Sequence, residues 1–271
     1  MSGMQRGLSW LPTALAAGFV FLYLPILLLI LFSFNDSRLV TVWAGFSTRW
    51  YAELLRNERM IEAAGLSLGI AAVAATIAGV FGTLAGYALA RLGAFALRPL
   101  FALLLLVPMV LPEVILGLSM LMSFSALERL IGWPAERGFL VVALAHATYG
   151  TAFVALIVEA RLRGLDPAME EAALDLGAGP LRAFLRVTVP MLAPAIASGW
   201  LLAFTLSLDD LVIASFVAGP GATTLPMLVY SSVRLGLSPQ INALATVLVI
   251  SIGLLAYVSA RRGAQRRSLS T

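Results

Sequence analysis

Four ionisable residues sit inside otherwise apolar runs of this chain: Glu113, His146 and the adjacent pair Asp209 and Asp210. A charged group at membrane depth is costly against hydrocarbon, so such residues face a partner or an aqueous path. Glu113 lies sixteen residues past Leu97, and Asp210 sixteen past Pro194. At about 1.5 Å per helical residue each is roughly 24 Å from the same side. His146, eight residues past Gly138, enters from the other side and is about 12 Å down. In a helix about 35 Å long these depths converge on one half of the membrane, and acids at one level suit a cationic solute. His146 reads either as a hydrogen-bonded packing residue or as a ligand. Asp209 and Asp210 differ by about 100° around a helix, so they cannot both face one path. Asp210 is expected to line it, with Asp209 satisfied by packing or by an arginine such as Arg234. No His/Cys cluster, Ser/His/Asp set or catalytic carboxylate pair is evident in the sequence, and no metal site is expected.

A second chemistry-bearing stretch is polar rather than apolar. Glu159, Asp166, Glu170, Glu171 and Asp175 alternate there with Arg161, Arg163, Arg182 and Arg186, between two long apolar segments. Such a stretch belongs in water or on a partner. Asp166-Pro167 predicts a helix start, with Asp as cap and Pro in the first turn. Glu170 and Glu171 suit the positive end of that helix, and Ala172 and Ala173 leave a thin face. Gly177 fits a left-handed C-terminal cap. A second short helix is expected from Pro180 to about Val189, stopped by Pro190.

The elements that position these residues are membrane helices. The chain has 271 residues, is 61% hydrophobic and 12% charged, and has a mean hydropathy of +0.96. Six apolar segments, at about 14–34, 64–90, 97–124, 138–160, 193–217 and 240–260, exceed the roughly 20 residues needed to span hydrocarbon. The reading is an all-α polytopic membrane protein, a single transmembrane domain over 1–271 with its core at about 64–260. The first segment is too long for a signal-peptide core and lacks a small-residue cleavage site, so it is expected to remain as an anchor. Arginines 261, 262, 266 and 267 and the short loop with Arg91 and Arg98 mark the cytoplasm by the positive-inside rule. Both termini and the 160–190 loop then fall inside, and the net-neutral 35–63 and 125–137 loops outside.

All 18 basic residues are arginine. A phosphate-binding P-loop needs a lysine, so ATP hydrolysis by that route is excluded and any ATPase must be another subunit. The net charge of +4 sits in loops and tail, which points to anionic lipid and not to nucleic acid. With no cysteine, thiol chemistry is absent.

Along the rest of the chain, residues 51–55 predict a short interfacial helix among Trp43, Trp50 and Tyr51. Gly69, Gly79, Gly82 and Gly86 predict close approach of another helix to segment two. Pro108 and Pro112 predict a kink or opening in segment three. Thr224 is expected to cap a helix running from Leu225 to about Leu235.

The order Glu171-Ala172-Ala173, Gly177, Val187, Val189, Pro190 reads E-A-A-x3-G-x9-V-x-V-P. It resembles the EAA loop of ABC importer permeases, E-A-A-x3-G-x9-I-x-L-P, differing only at two aliphatic positions. Longer stretches, LVTVWAG at 39–45, STRWY at 47–51 and SLDDLVIASFVAGPGATTLP ending at Pro226, are similar to the spermidine/putrescine ABC permeases. The resemblance covers nearly the whole chain. It implies one of two paired six-helix permeases, with Glu171, Ala172, Ala173, Gly177 and Pro190 coupling to a cytoplasmic ATPase dimer. It also implies a periplasmic polyamine-binding protein, a polyamine as solute, and ATP with Mg held by the partner ATPase, with no cofactor in this chain. Glu113 stands where an aspartate is expected in such relatives. A secondary transporter is the other class considered; it calls for inverted halves and broken helix pairs, and neither is evident in the sequence. An ABC permease for an anion would call for arginines or helix N-termini in the membrane instead of acids.

Overall fold

The computed structural model describes residues 11–38, 42–235 and 238–268. Leu39, Val40 and Thr41 lie outside the described residues, as do the side chains of the basic tail at 261, 262, 266 and 267. The described chain is helical and falls into two compact units, 1–61 with 229–271, and 62–228. Among the described residues five helices are long and apolar enough to cross a membrane: Pro12–Ser33, Glu58–Arg91, Glu113–Ile131, Phe139–Arg163 and Pro180–Leu208. Shorter apolar helices run over Arg98–Val110 and Pro239–Ser251.

In the first unit, α1 (Leu11–Ser33) exposes Phe19, Phe21, Leu24, Leu27 and Leu31. A helix this apolar and this bare is matched to lipid. The turn after it is built on Asn35, which is 1% exposed. Its side chain donates to the Val42 carbonyl at 2.7 Å and accepts the Ala44 amide at 2.9 Å. Its own carbonyl accepts the Trp50 indole N–H at 2.6 Å. That bond seats α2 (Arg49–Arg56), the expected interfacial helix. Gln240, at the start of α12 (Pro239–Ser268), donates to Glu53 at 3.0 Å and accepts from Asn57 at 3.0 Å.

The second unit is organised on α3 (Glu58–Arg91) and α6 (Phe139–Arg163). Val141, Val142, Ala143 and Ala145 of α6 enter one apolar cluster with Ile70, Ile213 and Val217, while Val154, Val158 and Leu162 enter another with Ala75, Ala78, Leu192 and Ala203. The glycines of α3 allow this closeness. A Cβ on Gly82 would meet Val154 Cβ at 2.5 Å, and one on Gly86 the Ala155 carbonyl oxygen at 2.6 Å. Close backbone approach through small residues is how helices pack in lipid, where burial of apolar area supplies little drive.

The opening expected in segment three is present, and other sequence expectations need correction. Segment three is two helices, α4 (Arg98–Val110) and α5 (Glu113–Ile131), separated at Leu111, whose backbone is extended. The break falls at Pro112 because the residue before a proline is pushed out of the helical region; Pro108 stays inside α4. Segment five is also broken, between α9 (Val189–Leu208) and α10 (Val212–Val217), so broken helices are present after all. The short helix α8 (Pro180–Ala183) does not stop at Pro190. It continues through a π-turn at Phe184–Thr188 into α9. The Val189 amide bonds the Phe184 carbonyl, five residues back. That extra residue in the turn accommodates a proline that has no N–H to donate. Thr224 does not cap α11 (Leu225–Leu235) with its side chain; its hydroxyl is buried without a partner. The Leu225 amide donates instead to Ser67 Oγ at 2.7 Å.

Candidate functional site

The polar loop forms as its residues require. Asp166 accepts the Ala168 amide at 2.9 Å and starts α7 (Ala168–Asp175), with Glu170 and Glu171 in its first turn. Gly177 takes φ +84°. Its amide bonds the Leu174 carbonyl at 2.9 Å, and the next amide, Ala178, reaches Ala173 at 3.0 Å. This pair of bonds is the Schellman ending. Arg91, the last residue of α3, anchors the loop: Nε lies 3.2 Å from Glu170 Oε1 and Nη2 donates to the Leu165 carbonyl at 3.0 Å. Tyr87 packs edge-on against Phe184, ring centres 4.9 Å apart.

On its outer side the loop is apolar where it could have been polar. Leu176 is 89% exposed and Leu181 71%, with Met169 and Leu185 also bare. Glu171, Ala172 and Ala173 lie on α7, none of whose residues is buried. A groove of about 590 Å³ is lined by Gly177, Gly179, Pro180, Leu181, Arg182, Leu185 and Arg186. Exposed leucines among arginines on a polar loop have the composition of a protein-docking surface.

The four membrane groups separate into two kinds. Glu113 begins α5 and is exposed. Asp209 ends α9 and is exposed too, its backbone amide still bonded to the Thr205 carbonyl. Asp210 and His146 are buried, at 8% and 3% exposure. Asp210 Oδ1 accepts the Ala214 amide at 2.8 Å, and Oδ2 is 3.4 Å from the Ile213 amide. His146 Nδ1 shares a 2.7 Å hydrogen bond with Ser207 Oγ. Its Nε2 stands 3.1 Å from Asp210 Oδ1 without forming a hydrogen bond.

The fold therefore assembles a Ser, a His and an Asp that the sequence reading did not connect. All three are buried, Ser207 at 7% exposure. Tyr149, one turn along α6 from His146, lies within electrostatic reach of Glu113, Asp210 and Asp209. The sequence reading missed it; its three-residue spacing from His146 was the available signal. Gly117, one turn into α5 from Glu113, packs against Phe216 and Ile213 of α10. That contact brings the start of α5 beside the 209–211 break. Among the described residues no group of three His, Cys, Asp or Glu side chains could hold a metal ion.

Residues 78–268 match the family described as the binding-protein-dependent transport system inner membrane component. The chain is 58% identical over 250 residues to the putrescine transport system permease protein PotI of Escherichia coli (strain K12), covering 92% of this chain and 89% of that protein. It is 41% identical over 236 residues to the spermidine/putrescine transport system permease protein PotC of the same strain, covering 87% of each. Its fold is similar to that of a bacterial ABC transporter that imports the acidic polysaccharide alginate, with TM-score 0.72, 16% identity, and 97% and 98% of the two chains covered. Apolar spanning helices and this membership make it a multi-pass inner-membrane protein. The chain belongs to the binding-protein-dependent transport system inner membrane components, the permeases of ABC importers.

Proposed function

We propose that this chain is the permease subunit of an ATP-driven importer that takes up a polyamine from the periplasm, putrescine in preference to spermidine. The observation that carries the solute class is the 58% identity to a putrescine permease over nine-tenths of the chain, against 41% to a spermidine/putrescine permease. The exposed carboxylates Asp209 and Glu113 at adjoining helix breaks suit ammonium groups that shed water on entry.

The 166–190 loop is the coupling element. Glu171, Ala172 and Ala173 on α7, the Gly177 turn and the exposed Leu176 and Leu181 dock a cytoplasmic ATPase, and Pro190 marks where the loop runs into α9. ATP and its Mg are held by that partner, since the chain has no lysine with which to build a P-loop. The complex further contains a second permease and a periplasmic polyamine-binding protein, and both termini of this chain lie in the cytoplasm.

The test is reconstitution with the partner subunits in proteoliposomes, followed by uptake of labelled putrescine, spermidine and sulfate. ATP-dependent uptake with putrescine ahead of spermidine, and no sulfate, is expected. ATP-driven uptake of neither polyamine overturns the solute assignment. Uptake by the isolated chain on an ion gradient overturns the importer reading altogether.

A further inference from the structure

Segment five is interrupted at 209–211, and the two acids there are disposed oppositely. Asp209 is exposed, while Asp210 is withdrawn and fully engaged. Breaking a helix inside a bilayer frees backbone amides that have no water to satisfy them. Asp210 accepts two of those amides, Ile213 and Ala214, at the start of α10. His146 stands behind it at 3.1 Å, and Ser207, in the last turn of α9, holds the other ring nitrogen at 2.7 Å. One contiguous set thus joins the end of α9, the start of α10 and the first third of α6.

We infer that Ser207, His146 and Asp210 form a buried brace that holds this helix interruption in shape and so presents Asp209 to the solute path. Asp210 and His146 are positioning residues, and Asp209 is the acid of segment five that meets the solute. The identity of the solute rests on the proposed function above; the brace does not.

Asparagine separates the two roles of a carboxylate in large part: its single side-chain oxygen keeps the shorter bond, from the Ala214 amide at 2.8 Å, gives up the 3.4 Å contact with the Ile213 amide, and carries no charge. If Asp210 acts by capping, Asp210→Asn keeps KM for putrescine within about threefold of wild type, and Asp210→Ala lowers the maximal rate by about tenfold at similar KM, the size of a lost cap. Ser207→Ala is the milder variant, should Asp210→Ala not assemble, and lowers the maximal rate in the same way. If instead Asp210→Asn raises KM about tenfold or more, as loss of a charged contact would, Asp210 meets the solute and the brace assignment is wrong.

A second readout needs no solute. The chain contains no cysteine, so Asp209→Cys introduces a unique thiol that a small water-soluble methanethiosulfonate reagent can label in membranes. Adding Asp210→Asn is expected to leave the labelling rate within about threefold, and adding Asp210→Ala or Ser207→Ala to change it by about tenfold. An Asp209→Cys thiol that is unreactive, or whose reactivity ignores both Ala variants, overturns the brace. If the wild type imports no polyamine, the solute assignment fails while the labelling still decides this inference.

Discussion

Arg91, at the end of α3, holds Glu170 of the 166–190 loop at 3.2 Å, with each side chain only 16% exposed. A second donor from the same guanidinium reaches the Leu165 carbonyl. The loop is therefore fixed to a membrane helix by its first turn, next to the residues assigned to ATPase docking. Reversing one partner alone leaves two like charges together in a half-buried place, which costs more than the pair contributes.

Charge reversal tests that anchor. Arg91→Glu and Glu170→Arg are each expected to depress binding-protein-stimulated ATPase in the reconstituted complex, and the double exchange to restore part of it. A coupling energy of about 1 kcal/mol between the two positions is the anticipated size. Additive losses in the double variant would show that the ion pair carries no part of the anchoring.

Gly177 is a backbone requirement, since a Cβ there meets nothing within 4 Å yet φ is +84°. A side chain in the left-handed region costs about 1–2 kcal/mol, and a β-branched one more. Gly177→Val is expected to lower stimulated ATPase and uptake together while the permeases still assemble. Gly177→Asn, which tolerates that region, is expected to keep most of both. Equal behaviour of the two variants would remove the turn from the coupling role.

The first, second and fourth spans were legible in the sequence because hydrocarbon thickness sets their length, whereas the third and fifth are each interrupted; the loop was legible because Asp166, Pro167 and Gly177 each have one strong local preference. Pro190 misled because a proline ends a helix only when no π-turn absorbs it, and Phe184–Thr188 does. Thr224 misled because Pro226 removes one of the two amides an N-cap side chain can reach, and the Thr224 hydroxyl is buried without a partner while Ser67 of α3 accepts the Leu225 amide. The sequence favoured Asp210 as the path-lining acid; in the structure Asp210 is buried and accepts the Ala214 amide, while Asp209 is exposed. What distinguishes them is the position of His146, 61 or more residues away in sequence, and only tertiary packing supplies that.

The glycine stripe on α3 separates packing from lipid exposure. Gly82→Ala places a Cβ 2.5 Å from Val154 Cβ, so α3 and α6 must part; overpacking of this kind costs about 1–3 kcal/mol. Gly65→Ala meets nothing within 4 Å and should be neutral or slightly stabilising, by roughly 0.5–1 kcal/mol. Thermal unfolding of the detergent-solubilised complex reads the contrast. Equal midpoints for the two variants would contradict the close approach.

The last prediction concerns the exposed acids. A diamine entering the membrane sheds water from each ammonium group, and a fixed carboxylate replaces part of that hydration only while it is charged. Asp209 and Glu113 are exposed at helix breaks, Asp209 just past the end of α9 and Glu113 at the start of α5. Asp209→Asn and Glu113→Gln are each expected to raise KM for putrescine, because a hydrogen bond to a charged group is worth about 1.5–3 kcal/mol, roughly tenfold or more. ATPase stimulation by the binding protein should persist, since Glu171, Gly177 and the docking face are untouched. Glu113→Asp keeps the charge and should retain more uptake than Glu113→Gln. Uptake and ATPase are measured side by side at matched expression. Wild-type KM in both neutral variants would mean that neither acid touches the solute, and the path would then have to be sought on another face of α5 and α9.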